Sequence, residues 1–396
     1  MAGKSGYEVL AQKVDGRLHA AMIRNGDIYD FYVDSGPEHP RWASIYLGKV
    51  TRIDTKLDGA FVALSSTREG FLAGKHALRD GKPDRGASIS DKLKPGQMVL
   101  VQIKSEGKAK TPYENHKLPR LSMKLYIPGR QMHMNPYGRS GVQIAEHLRN
   151  DQVNAFAAKL EKYGSWIVQN GQNALDLEAM KHEAKQLILI WRGVKEAIEN
   201  APKNPRMLFM GPNAIQRMII DYAAVQFDHF ELAEDANPNS MSGWLEAHAP
   251  YLKEKMIISP AHKVDIFEMR DVYGALEDAH SPVLDLPNGG SLVIDSTHAM
   301  TIIDVNRGSG GDIVSVNKEA ARLAARHFRL RNLSGAILID FINLPSKTER
   351  YDLIRLLKKC IGTDPGNTAV HGFTRLGIME VTRKRRTATL HEKTSN

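Results

Sequence analysis

The chain has 396 residues, 42% hydrophobic and 25% charged; these ordinary globular values exclude a disordered, collagen-like or coiled-coil chain, and the length favours two or more domains. Lys plus Arg number 54 against 45 Asp plus Glu, and the formal charge of +9 favours polyanionic partners. The single cysteine, Cys360, excludes an internal disulfide or a Cys-rich zinc ribbon and suits a reducing cytoplasm, while no run is apolar and long enough for a membrane span or a signal-peptide core.

The chain opens with short strands at Tyr7-Glu-Val-Leu-Ala, Leu18-His-Ala-Ala-Met-Ile and Asp27-Ile-Tyr-Asp-Phe-Tyr-Val. Asn25-Gly26 joins the last two, and both residues tolerate the positive φ of a tight hairpin turn. From Ser44, Ile45, Leu47 and Lys49 alternate with Tyr46, Gly48 and Val50; with the runs that begin at Gly59, Gly70 and Gln97 they predict a small β-barrel. Phe61 and Phe71 fall among Lys49, Arg52, Lys56 and Arg68. Either Phe alone is an ordinary core residue, but aromatics interleaved with cations on a barrel face also suit the stacking of single-stranded nucleic acid. Residues 104–139 are basic and loop-like (Lys104, Lys108, Lys110, Lys117, Arg120, Lys124, Arg130, Arg139), either a solvated linker or a track for a phosphate backbone. Helices are expected over 144–163 and 175–199, the second with Leu177, Met180, Ala184, Leu187 and Trp191 as one buried stripe, with a strand at Ser165-Trp-Ile-Val between them. Another helix is expected from Asn213 to Phe230.

The last hundred residues alternate strands with helices: Ser291-Leu-Val-Ile-Asp, Met300-Thr-Ile-Ile-Asp-Val, a helix over Lys318 to Arg331, Gly335-Ala-Ile-Leu-Ile-Asp, a helix over Lys347 to Cys360, and a strand near Gly377-Ile-Met-Glu-Val. That pattern predicts an α/β layer. The end, Arg383-Lys-Arg-Arg and then Thr387 to Asn396, reads as a basic, poorly ordered tail. Asp304 and Asp340 each close an apolar strand run, where an unpartnered carboxylate is costly. One such Asp ordinarily caps a turn; two in one layer can converge on a hard divalent cation such as Mg²⁺. Asn306 shares a strand face with Asp304, and Asp295 is a weaker third acid. Arg307-Gly-Ser-Gly-Gly-Asp312 is glycine-rich yet matches neither phosphate-loop fingerprint. Arg322, Arg326 and Arg329 share a helix face, either solvated or turned to flanking phosphates, and His371 and Arg375 precede the last strand. Metalloprotease histidine spacing and the Gly-x-Ser-x-Gly elbow are both missing from the sequence.

The run from Leu286-Pro-Asn-Gly-Gly-Ser to Ile302-Ile-Asp-Val-Asn306, with Arg329-Leu-Arg-Asn-Leu-Ser-Gly-Ala-Ile-Leu-Ile-Asp-Phe-Ile-Asn343, closely resembles the catalytic core of the bacterial ribonuclease E/G family. Phe373-Thr-Arg-Leu-Gly-Ile-Met-Glu-Val-Thr-Arg383 resembles that family's closing segment, and Ile45-Tyr-Leu-Gly-Lys-Val with Gly59-Ala-Phe-Val and Gly70-Phe-Leu resembles its S1 domain. The resemblance implies a mixed α+β and α/β multidomain chain: an RNase H-like scaffold with an inserted S1 (OB-type) β-barrel and a DNase I-like catalytic subdomain. It places scaffold pieces at 1–38 and 208–276, the S1 domain at 39–125, a 5′-sensor-like subdomain at 126–207 and the catalytic part at 277–396. By the same resemblance Asp304 and Asp340 are the Mg²⁺ ligands, Asn306 stands beside them, and Phe61, Phe71 and, more loosely, Lys117 hold RNA; Arg375, by its place before the last strand, is a further candidate RNA contact. The activity implied is endonucleolytic cleavage of single-stranded RNA, in the cytoplasm, leaving a 5′-phosphate and a 3′-hydroxyl in RNA processing or decay.

Three departures from the family pattern follow. Where the family carries an Arg-Thr pair that grips a 5′-monophosphate, this chain reads Gln169-Asn170, and a neutral amide lacks the bidentate charge-assisted grip of guanidinium, so sensing is expected to be weak. The family's Cys-Pro-x-Cys zinc link is not found, so no zinc-linked dimer is expected and the oligomeric state stays open. The segment after Asn306 is short, and Ile-Asp-Phe-Ile-Asp ends here in Asn343; a catalytically silent RNA-binding protein on the same scaffold is the rival reading.

Overall fold

Three antiparallel strands, Tyr7–Val14, Arg17–Arg24 and Asp27–Val33, form a meander whose turns, Asp15-Gly16 and Asn25-Gly26, hold positive φ at all four residues. In the computed structural model, which describes residues 6–34, 36, 40–79, 81–84, 86–107, 118–169, 176–200, 204–260, 265–287, 289–297, 299–309, 311–362 and 364–394, two distant strands complete this sheet. Phe227–Ala233 pairs in parallel with Tyr7–Val14, and Met256–Ser259 pairs in parallel beyond it. The helix expected from Asn213 to Phe230 therefore ends early. It spans Ala214–Asp221, with Asn213 and Gln216 closing a capping box, because Phe230 and Leu232 alternate inward and the backbone from Phe227 onward bonds the open edge of Tyr7–Val14.

Ile45–Asp54, Gly59–Ala63, Glu69–Ala73, Arg120–Ser122 and Met98–Ser105 form a barrel that closes by pairing of the first with the last, and Arg206–Phe209 adds outside Ile45–Asp54. Closure leaves no open edge around the packed interior of Val50, Val62, Leu72, Val101 and Leu121. A four-stranded sheet follows (Gly141–Gln143, Ser165–Val168, Met132–Asn135, Ile127–Pro128), covered by Leu177–Glu199, which buries Met180, Ala184 and Leu187 against Trp166. Arg130, read as a member of a basic surface track, is instead buried. Its guanidinium donates to the carbonyls of Ile219 and Val225 and to the Tyr251 hydroxyl, satisfying a charge that burial would otherwise make costly.

The last sheet runs in the order Val283–Asp285, Gly290–Ser296, Met300–Arg307, Gly335–Asp340, Met379–Arg383, Ala369–Phe373. Helices Ile313–Leu330 and Lys347–Ile361 pack on one face through Val316, Ala320, Ala324, Phe328, Leu353 and Leu357. The arginine face of the first helix divides. Arg322 is exposed, whereas Arg326 donates to the Ile28 carbonyl and Arg329 is buried with its guanidinium 4.3 Å from the centre of the Tyr29 ring, so two of the three dock this helix on the first sheet and not on phosphates. The basic end is likewise not a loose tail through residue 394. Arg383 is buried, Arg386 grips Asp221 with two bonds of 2.8 and 2.6 Å, and Leu390 enters the core beneath the first sheet. Among the described residues no helix is long and apolar enough to cross a membrane.

His327, 3% exposed in Ile313–Leu330, accepts a 2.9 Å hydrogen bond from Arg331 Nε. Burial, then Arg331 and Arg326, push its imidazole down to about 3. Unfolded, the same group titrates near ~6.5. The unfolded chain thus takes up a proton that the folded chain refuses, so this contribution to stability is complete above the unfolded value and is lost as pH falls toward the folded one. His327→Gln should gain on the parent by about 1.4 kcal/mol for each pH unit below ~6.5. Denaturant unfolding of both proteins across that range checks this, and parallel curves would refute it.

Candidate active site

Asp304 ends the apolar run of Met300–Arg307 and Asp340 closes Gly335–Asp340; the two strands are parallel neighbours, and these two residues are direct register partners. Side chains in register on adjacent strands, about 4.8 Å apart, point to one side of the sheet. Thr301, Ile303 and Val305 face the helices, as do Ile337 and Ile339, so alternation turns Asp304 and Asp340 onto the opposite, open face, where both are exposed. Asn306, the next residue on that face, donates its amide to Asp304 Oδ2 at 2.9 Å and fixes the carboxylate's rotation. Asn317 steadies the neighbouring strand. It is fully buried in Ile313–Leu330, donates Nδ2 to the Ile342 carbonyl at 2.7 Å and accepts from the Ile342 N–H at 3.0 Å, clamping the chain just after Asp340.

The remaining sequence candidates scatter around this pair. Asp295 lies on the same open face but opposite Ile302, two register pairs away from Asp304. Arg375 is exposed in the turn between Ala369–Phe373 and Met379–Arg383, and because Ile339 registers with Met379 that turn sits at the carboxylate end of the sheet. His371, expected ahead of the last strand, is within a strand of its own and hydrogen-bonds Thr382 Oγ1 at 2.8 Å. Asn343 accepts from Arg350 Nη2 at 3.0 Å. Glu380 went unnoticed in the sequence: it registers with Leu338 and is exposed, diagonal to Asp340 on the open face. The alternation Met379-Glu-Val-Thr-Arg383 was the signal that could have found it. The glycine-rich loop has a packing reason of its own, since a Cβ on Gly308 would lie 2.6 Å from the Gly290 nitrogen.

No cluster of three or more His, Cys, Asp or Glu side chains suited to a metal occurs among the described residues. Two adjacent carboxylates open to solvent still form an all-oxygen donor set of the kind Mg²⁺ accepts, since that ion typically keeps several waters and needs one or two protein carboxylates.

On the barrel, Phe61 and Phe71 are cross-strand partners, partly exposed, with ring centres 5.4 Å apart and edge to face. Arg52 lies over the Phe61 ring, its guanidinium carbon 3.4 Å from the ring centre. A Cβ on Gly59 would stand 2.2 Å from Phe71 Cζ, so glycine there leaves room for the ring. Lys117 and Asn170 lie outside the described residues. Gln169, by contrast, is half-buried and tied down: its N–H donates to the Gln131 carbonyl at 2.8 Å and its side chain bonds His133, whose imidazole burial pushes down to about 4.

The family model described as "Ribonuclease E/G family" matches residues 126–386, more than half of the chain. Ribonuclease E of Synechocystis sp. is 29% identical over 394 residues, covering 94% of this chain and 56% of that protein. Ribonuclease G of Haemophilus influenzae and of Escherichia coli K12 are each 25% identical over 398 residues, covering 96% of this chain and 79% and 80% of theirs. The chain thus spans little more than half the length of the Ribonuclease E relative. A closed five-strand barrel, an α/β layer with two carboxylates in register on adjacent strands and a family match across the second of these lead to one conclusion: the chain belongs to the ribonuclease E/G family.

Proposed function

We propose that the chain is an endoribonuclease of RNA processing or decay, cutting single-stranded RNA and leaving 5′-phosphate and 3′-hydroxyl ends. The register pairing of Asp304 with Asp340 on the open face carries this reading. These two residues would hold Mg²⁺, which when bound polarises the phosphodiester and makes water a better nucleophile. Asn306 keeps the Asp304 carboxylate in a single orientation, Asn317 holds the strand end that carries Asp340, and Arg375 at the same end of the sheet offers a cation to a flanking phosphate. The five-stranded sheet, assembled from residues 7–33 and 227–259 with the barrel and the four-stranded sheet between, supports an RNase H-like scaffold at 1–38 and 208–276 interrupted by an S1 domain at 39–125 and a sensor-like part at 126–207, ahead of a DNase I-like part at 277–396. Gln169, bound to a histidine kept neutral by burial, presents no charge to a 5′-monophosphate and supports weak end sensing.

Incubating the full chain with labelled single-stranded RNA, in Mg²⁺ or in EDTA, tests the proposal. Fragments with 5′-phosphate ends in Mg²⁺ alone support it, while intact but bound RNA under both conditions supports the silent RNA-binding alternative. Phe61→Ala and Phe71→Ala should each weaken binding of an oligouridylate by about 1–3 kcal/mol, the worth of one stacked base. Fluorescence anisotropy measures this directly, and parental affinity in both variants would remove the aromatic platform from the proposal.

A further inference from the structure

Beside the aromatic pair the barrel carries a group of cations that the reading above does not use. Arg120 registers with Phe71 on the adjoining parallel strand and is exposed. Next to it, Lys104 Nζ stands 2.7 Å from His76 Nε2, and Lys124 Nζ donates to the Lys75 carbonyl at 2.8 Å. The Met123 N–H donates to the His76 carbonyl, which brings Lys124 against the short Gly74–His76 turn. Lys384 joins them from the last sheet, immediately after the buried Arg383 that ends Met379–Arg383. Lys75, Lys104, Arg120, Lys124 and Lys384 are all exposed, and none makes an ion pair with a described residue.

The electrostatics are one-sided. Partial burial first, then Lys75, Lys124, Lys384 and Arg120, lower the Lys104 pKa, and burial with Lys104, Lys124, Lys75 and Arg120 pushes His76 down to about 4. No carboxylate figures among these influences. Five like charges gathered without a counter-ion among the described residues repel one another, and a polyanion relieves that repulsion while releasing its own condensed counter-ions. Only an extended anion spans the set, because its members come from two barrel strands, a turn, the segment after Arg120–Ser122 and the chain after the last sheet.

We propose that Lys75, Lys104, Arg120, Lys124 and Lys384 form a phosphate track that receives the RNA backbone as it leaves the Phe61–Phe71 platform. The inference rests on the RNA-binding reading above and extends it from two bases to a longer footprint that bridges the barrel and the last sheet. Phosphates placed on the track neutralise the cluster, and bases stacked on the aromatics fix its starting point.

The test compares the full-length parent with a triple variant, Lys75→Ala, Lys104→Ala and Lys124→Ala, all three being surface positions. Binding of oligouridylates of about 4 and about 16 nucleotides is titrated across a salt series. For the long oligomer, the slope of log K against log salt should become shallower by about 2, since each single-strand phosphate contact contributes about 0.7. The short oligomer, held on the aromatics, should keep its affinity within about twofold. A control variant, Lys185→Ala, Arg192→Ala and Lys195→Ala on the exposed side of Leu177–Glu199, removes the same charge elsewhere and should keep the parental slope. An unchanged slope in the triple variant, or an equal change in the control, overturns the track while leaving RNA binding standing. Competition by polyglutamate as effective as RNA of matched charge would assign the patch to acidic polypeptide and also overturn it. A parent that binds neither oligomer overturns both this inference and the functional reading beneath it.

Discussion

Asp304→Asn and Asp340→Asn should each reduce the proposed RNA cleavage by about a thousandfold or more while leaving RNA affinity and the unfolding midpoint near the parental values. The size of the effect follows from where the residues stand. Both are exposed and in register on neighbouring strands, so replacing a carboxylate by an isosteric amide removes a hard anionic donor without opening a cavity or stranding a buried partner. A neutral amide is a poor ligand for a hard divalent ion, and one loss leaves a single carboxylate. Asp304→Asn also alters the Asn306 contact, in which one amide would then meet another. Asn306→Ala should therefore slow cleavage less, by about 10–100-fold, as expected for a group that orients a ligand. Single-turnover cleavage of labelled RNA at saturating protein, with anisotropy for binding, separates the two effects. Parental cleavage rates in purified Asp304→Asn or Asp340→Asn would remove these carboxylates from the chemistry.

The second large effect concerns stability. Arg383→Ala should lower unfolding stability by about 3–5 kcal/mol, although the residue belongs to a run, Arg383-Lys-Arg-Arg, that reads in sequence like a solvated tail. Its guanidinium meets Asp364 through Nε and Nη2 at 2.8 and 3.0 Å, and Nη1 donates to Asn332 Oδ1 at 2.7 Å and to the Leu333 carbonyl at 2.8 Å. The two side chains are 5% and 2% exposed. Burial alone would raise the Asp364 pKa; the Arg383 guanidinium and the Thr368 hydroxyl outweigh it and hold the group below the usual carboxylate range. A Cβ on Gly366 would lie 2.4 Å from Arg383 Nε, so the surrounding backbone is shaped to this side chain. Removing the guanidinium alone leaves a buried carboxylate without its partner, whereas replacing both partners, as in Arg383→Met with Asp364→Leu, should recover most of the loss. Chemical denaturation of both variants beside the parent measures this, and a single variant within about 0.5 kcal/mol of the parent would show that the pair contributes little.

How much was legible in the sequence depended on the range of the interaction. Asn25-Gly26 announced its hairpin because turn chemistry is local, and the alternation after Ser44 announced strands because the pleat has a period of two residues. Asp304 and Asp340 stood out for the same reason: an acid at the end of an apolar run conflicts with its neighbours and calls for an explanation. Glu380 escaped notice since nothing within its own short strand conflicts with it. The segment after Asp221 looked helical, because Tyr222-Ala-Ala-Val-Gln suits a helix, and the strand at Phe227–Ala233 became visible only with Tyr7–Val14 beside it.

By itself the sequence determined many of the strands, most helices, the barrel, the family resemblance and the two acids on which the proposed chemistry depends, since each is written in spacing and residue type over a few neighbours. Tertiary structure alone decided which charges are surface and which are core. Arg130, Arg326, Arg329, Arg383 and Arg386 find their carbonyls, rings and carboxylates on other elements, while Lys75, Lys104, Arg120, Lys124 and Lys384 find no carboxylate among the described residues and stay exposed. A cation's role depends on whether the fold brings it a partner that repays its lost hydration, and those partners lie tens to hundreds of residues away along the chain.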